Sequence, residues 1–228
     1  MKALLFAGDS AIIKEEYFSN KTKKEGAGMR SDTKKTLIVA TGNQHKLREI
    51  AEIFTDYEVL SQKQMGFCED VEENGVSFAE NALIKARAVC QALGCVTLAD
   101  DSGLCVDALG GQPGIFSARY CGHHGDDEAN RKKLLENMQG ITNRTAHFNC
   151  AIALVYPNGE KLVVEGQTFG EILHEEVGNG GFGYDPLFFS RDLQKSFGVA
   201  TAEEKNKVSH RFRALKKLWT LLNERGEI

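Results

Sequence analysis

Several absences narrow what this chain can be. No apolar run approaches the ~20 residues that a helix needs to cross a bilayer, which argues against a membrane span or a membrane partner. Positive charge is not in excess: the formal net charge is −4, unlike the basic stripe of a nonspecific nucleic-acid binder, so no nucleic-acid partner is expected. The six cysteines contain no Cys-x-x-Cys pair, and with the six histidines they form no zinc-like spacing. Buried, reduced thiols in a cytoplasmic protein are the expectation instead. The opening "MKALLFAGDSAIIK" has too slight a basic region for a signal peptide, and Asp9 interrupts its apolar run. There is no internal repeat.

What remains is ordinary globular chain: 228 residues, 42% hydrophobic and 26% charged, enough for one large α/β domain or two small lobes sharing a core. Residues 1–35 carry an excess of positive charge, and "SNKTKKEGAGMRSDTKK" has no periodicity. The chain therefore divides into an N-terminal extension over 1–33, expected to be mobile, and a single domain of two lobes over 34–228.

Along that domain "TLIVA" (36–40) reads as a buried strand. After Thr41-Gly42-Asn43, helical spacing puts Leu47, Ile50, Ala51 and Phe54 on one face. "YEVLS" (57–61) reads as a second strand. Ser77 and Glu80 form a capping box before a helix with Phe78, Ala82, Ala86, Cys90 and Leu93 inward, ended by Gly94. "CVTLA" (95–99) is a strand running into Asp100-Asp101-Ser102-Gly103, and a helix is expected within 126–140. "TAHFNCAIALVY" and "KLVVEGQTFG" flank Pro157-Asn158-Gly159 as a hairpin. The last helix starts near Ser209 and is expected to bury Phe212, Leu215, Trp219 and Leu222. Early alternation of strands and helices, then a late hairpin, predicts an α/β fold with a mixed sheet.

Four polar groups stand at the ends of these elements, and each has two readings. Thr41-Gly42-Asn43 with Lys46 is either a phosphate-binding helix start or a polar turn. Glu72-Glu73 either contributes metal ligands or complements a helix N-terminus. Asp100-Asp101-Ser102-Gly103 either suits Mg²⁺, which takes hard oxygen ligands, or forms an Asx-type turn. "GGFGYDP" (180–186), Lys205 and Ser209-His210-Arg211 offer the aromatic faces of Phe182 and Tyr184 together with donors, or Ser209 merely caps the last helix over solvated neighbours. Taken together, a phosphate-binding start, carboxylates for a metal and an aromatic-plus-donor set describe a nucleoside triphosphate site.

The segments "TGNQHK", "EENGVSFAENALIKA", "ADDSGL", "LGGQPGIFSARY", "GGFGYDPLF" and "EEKNKVSHR", in this order, resemble the inosine/xanthosine triphosphate pyrophosphatase family over residues 36 to 225. The resemblance implies an elongated mixed β-sheet with flanking helices, forming two lobes around a central nucleotide-binding cleft, in a homodimer. It implies hydrolysis of dITP, ITP or XTP to the monophosphate and pyrophosphate. By the same resemblance Thr41, Gly42, Asn43, Gln44, His45 and Lys46 hold the triphosphate, and Ser102 contacts substrate. Phe182, Gly183, Tyr184, Asp185, Lys205, His210 and Arg211 form the nucleoside pocket. Glu72 and Asp101 hold Mg²⁺, with Glu73 and Asp100 as further candidates, and Asp101 accepts the proton from water. Two departures from the family pattern are the extension over 1–33 and Phe212, where many relatives have a small residue. The alternatives are a catalytically silent nucleotide-binding sensor and a house-cleaning pyrophosphatase for modified pyrimidine nucleotides. The full carboxylate set opposes the first and "SHR" the second.

Overall fold

The structure, a computed structural model, describes residues 34–228, so the extension expected over 1–33 lies outside the described residues. Among the described residues seven strands form one sheet: β1 (Lys35–Val39), β2 (Tyr57–Ser61), β3 (Thr97–Val106), β4 (Thr145–Val155), β5 (Lys161–Ile172), β6 (Phe188–Ser190) and β7 (Lys195–Ser196). Their order is β2-β1-β3-β4-β5-β6-β7. β1 pairs parallel with β2 and β3, whereas β6 pairs antiparallel with β5 and β7, so the sheet is mixed as the pattern of elements predicts. Five α-helices among the described residues accompany it: α1 (Gln44–Ile53), α2 (Phe78–Leu93), α3 (Asp127–Asn137), α4 (Ala202–Val208) and α5 (His210–Glu224). Among the described residues no helix is long and apolar enough to cross a membrane.

The described chain separates into two compact units. The first takes the residues through Glu73, together with Leu83–Ala99 and Leu154–Leu162. Its core is made by Ile38 and Val39 of β1, Leu98 of β3, Ile50 and Phe54 at α1, and Val89 and Leu93 of α2. Of the face expected on α1, Leu47 is half-buried and Ala51 is exposed. The face expected on α2 is buried throughout.

The second unit takes Asn74–Ala82, Asp100–Ala153 and Val163–Ile228. Its core joins Leu104, Val106, Leu134 and Met138 to an aromatic group in which the Phe148 ring lies 4.7 Å from Phe188 and stacks on His210 at 4.9 Å. Ala214, Leu215, Leu218 and Leu222 are the buried face of α5. Trp219, expected inside, is 44% exposed; the helical phase favours its neighbour Leu218, and Phe212 is only half-buried.

Two further expectations change. Asp100 to Gly103 form no turn, because β3 runs through them unbroken. Only Cys90 and Cys150 of the six thiols are buried; Cys68 is exposed and the other three are intermediate. The last helix starts at Ser209 as expected; a short helix, α4, precedes it, and Ser209 closes α4 as it opens α5. A full capping box appears on α4, where Thr201 and Glu204 exchange bonds. On α2, Ser77 Oγ accepts from the Glu80 N–H, while the Glu80 carboxylate turns to the Val76 N–H.

Candidate active site

Successive residues of a strand point to opposite faces, so the adjacent aspartates of β3 acquire different partners. Asp100 Oδ2 accepts from Arg211 Nε at 3.1 Å, and both side chains are buried. Arg211 Nη2 also donates to Ser102 Oγ at 3.0 Å. Asp101 faces α2 instead: its Oδ2 accepts from Asn81 Nδ2 at 3.0 Å and its Oδ1 from the Ser102 N–H at 3.0 Å. Polar residues survive inside a strand here because each is satisfied on its own side. Asp100 is thus matched to a guanidinium. Asp101 accepts an N–H on each of its two oxygens, an arrangement that suits a general base or a ligand for a hard cation. Asp100, a further candidate ligand in the sequence, is engaged by Arg211 through its Oδ2. Among the described residues no three His, Cys, Asp or Glu side chains are gathered as a metal site.

The second unit also assembles most of the expected nucleoside group. Lys205 Nζ donates to Asp185 Oδ2 at 2.6 Å, inside the protein, and lies 4.4 Å from the centre of the Phe182 ring. The same Asp185 oxygen accepts from the Phe182 N–H at 2.8 Å. Gly181, at φ +73°, is required there, since a Cβ would collide with the Asp185 carboxylate. Arg131 of α3 donates to the Gly183 carbonyl, and Asp127 accepts from the Gly183 N–H, which clamps the loop from the side. Tyr184 is not an open aromatic face: it is buried, its hydroxyl donates to the Ser117 carbonyl, and burial raises its pKa. Phe182, half-buried, is the face that remains. Ser209 does cap α5, accepting from the Phe212 N–H, yet His210 and Arg211 are buried beside it and not solvated.

In the first unit the turn after β1 is built from its own side chains. Asn43 Oδ1 accepts from the His45 N–H at 2.9 Å and the Lys46 N–H at 3.3 Å, and Thr41 Oγ1 accepts from the Asn43 N–H at 3.1 Å. The helix start is therefore capped by Asn43. Lys63 Nζ lies 4.0 Å from where a Gly42 Cβ would stand, so the turn has a second cation nearby besides Lys46. Glu73 pairs with Lys85 of α2 at 3.0 Å, and Glu72 is exposed.

A profile of the Ham1 family matches residues 37–221. The chain belongs to the Ham1 family. It is 48% identical over 192 residues to a dITP/XTP pyrophosphatase of Bacillus subtilis, covering 82% of this chain and 97% of that protein. A dITP/XTP pyrophosphatase of Clostridium perfringens is 47% identical over 194 residues, covering 81% and 95%. Among solved structures, the Staphylococcus aureus Ham1 protein superposes with a TM-score of 0.78 at 41% identity, over 84% of this chain and all of that one.

Within this Ham1 chain the residues that the sequence passed over are Asn81, Lys85, Lys63, Asp127 and Arg131. Asn81 left one signal: a poor helix former placed in the second turn of a long helical stretch. The others act through partners far along the chain, as Arg131 does on Gly183, and left no local signal.

Proposed function

We propose that this protein is a nucleoside triphosphate pyrophosphatase that hydrolyses dITP, ITP and XTP to the monophosphate and pyrophosphate, clearing them from the nucleotide pool. The identity to relatives of that name over nearly their whole length carries this reading. In the reaction water attacks the α-phosphorus, the bond to the α,β-bridging oxygen breaks, and pyrophosphate leaves. Asp101 takes the proton from water, a role supported by its buried, amide-held carboxylate. Lys46 offsets negative charge on the triphosphate at the start of α1. Lys205 and Phe182 take the nucleoside side, and a donor such as Lys205 favours the C6 carbonyl of hypoxanthine and xanthine over the amino group of adenine. Mg²⁺, our proposed cofactor, would neutralise phosphate oxygens when bound, and in the second unit Asp101 is suited to hold it, with Asp100 a further candidate.

Cytoplasmic location is supported by cysteines that are all free among the described residues. A homodimer is supported by the family resemblance and is tested by light scattering on the purified protein.

The deciding experiment is pyrophosphate release from dITP, ITP, XTP, GTP and ATP, with and without Mg²⁺. Mg²⁺-dependent release with kcat/KM far higher for the first three than for ATP is expected, since mismatched buried hydrogen-bonding groups can discriminate by ~10⁴-fold. Binding without release would make the protein a nucleotide sensor, and equal rates on all five would remove the base preference.

A further inference from the structure

A single buried amide joins Asp101 to the loop that precedes α2. Asn81 is 1% exposed. Its Oδ1 accepts from the Gly75 N–H at 2.9 Å, and its Nδ2 donates to Asp101 Oδ2 at 3.0 Å. These two bonds fix the sense of the amide. A backbone N–H can only donate, so the oxygen end must face Gly75; an ionised carboxylate can only accept, so the NH₂ end must face Asp101.

The loop is shaped to hold Asn81 in this way. A Cβ at Gly75 would stand 2.8 Å from Asn81 Oδ1 and 2.7 Å from Glu80 Cβ, so only glycine lets the N–H come so close. Next to it the Val76 N–H donates to Glu80 Oε2 at 2.8 Å, and the Glu80 N–H donates to Ser77 Oγ at 3.2 Å. Loop and first turn are one hydrogen-bonded piece. On Asp101, the bond from the Ser102 N–H comes from the next residue and moves with the strand, whereas the bond from Asn81 ties the carboxylate to a different element.

We propose that Asn81 is a positioning residue for Asp101, holding the carboxylate in the rotamer from which it takes the proton of the attacking water. This rests on the hydrolase reading given above. Asn81 touches no substrate in this scheme and acts only through Asp101. Its removal therefore lowers turnover and spares substrate affinity.

Steady-state kinetics on dITP in Asn81→Ala and Asn81→Asp test this, together with hydrogen exchange of the Asn81 side-chain amide by NMR. A fall in kcat of about 10- to 100-fold is expected for Asn81→Ala, with KM little changed, as for the loss of groups that orient a reacting residue. Asn81→Asp keeps the shape and the acceptor for Gly75 but sets oxygen against oxygen at Asp101, and its kcat falls at least as far. In the wild type the Asn81 amide protons exchange slowly, and Asp101→Ala speeds them. A folded Asn81→Ala protein with wild-type kcat, or a loss confined to KM, overturns the proposal. So does amide exchange that ignores Asp101→Ala, and this measurement needs no folded Asn81 variant. If wild type releases no pyrophosphate from dITP, ITP or XTP, the hydrolase reading falls and this role falls with it, while the exchange data still report whether the contact to Asp101 exists.

Discussion

The candidate residues of the first unit sit near the surface and are held by cap and turn bonds, while those of the second are held by buried side-chain pairs. Asn43 organises the start of α1 with one side-chain oxygen, and Lys63 stands beside Gly42. Arg211 with Asp100, and Lys205 with Asp185, are ion pairs almost wholly removed from water. The energetic consequences differ. A helix cap contributes about 1 kcal/mol, whereas removing one partner of a buried pair costs about 3–5 kcal/mol because it strands the other charge. The candidate residues of the first unit can thus change at small cost to folding, and the buried pairs of the second cannot.

The largest effect expected from this contrast is in Arg211→Ala. Stranding Asp100 lowers unfolding free energy by about 3–5 kcal/mol in denaturant melts. The double variant Asp100→Ala/Arg211→Ala loses less than the sum of the single losses, because the two groups share one interaction. A loss under about 1 kcal/mol in the single variant would place Arg211 with the exposed pairs, whose usual worth is of that size.

Asp101→Asn comes next and separates catalysis from folding within the same strand. It removes the proposed proton acceptor, so turnover falls at least ~10²-fold. Its amide must also turn an N–H toward one of two N–H donors, which costs roughly 1–3 kcal/mol of stability. Near-normal turnover in the folded variant would remove the mechanism.

Legibility from sequence follows the same division. The Thr41–Lys46 turn, the face of α2, the hairpin at Asn158-Gly159 and the cap at Ser209 are all local, and each shows in spacing or turn chemistry. What did not show depends on contacts between distant segments. The continuity of β3 through Asp100 to Gly103 needs Arg211, 111 residues later, and Asn81 on α2. Without those partners two aspartates beside Ser and Gly look like a turn. Tyr184 was misjudged for the same reason: its aromatic face lies in the core, with its hydroxyl on a carbonyl 67 residues away.

Smaller effects sharpen the surface side of the comparison. Asn43→Ala frees the His45 and Lys46 N–H groups and lowers stability by about 1 kcal/mol in thermal or urea melts. No loss would mean that the N–H groups find water as readily as the cap. On α4, Glu204 is held down to about 2 from 4.5 by its bonds with Lys195 and the Thr201 N–H. A carboxylate with a depressed folded pKa adds stability that is fully present above about pH 4.5 and disappears as the pH falls toward 2. Glu204→Gln should therefore flatten the dependence of melting temperature on pH across that window and leave neutral pH with the larger loss. An unchanged slope would show that the pair exists equally in the unfolded chain.

Glu72→Gln should disturb folding least of all, since Glu72 is exposed and surface changes away from caps and pairs stay within about 0.5 kcal/mol. Its value lies in the metal. If Glu72 is a ligand of Mg²⁺, as the family resemblance implies, replacing its charge with an amide moves the Mg²⁺ concentration for half-maximal pyrophosphate release upward. The rate at saturating metal should recover much of the wild-type value, because the proposed proton acceptor, Asp101, is intact. If Glu72 only adds negative charge ahead of α2, the titration stays where it is. Glu73→Gln is the control on the same loop: it also breaks the pair with Lys85, so a comparable shift there would mean that loop order, and not a ligand at position 72, governs the response to metal.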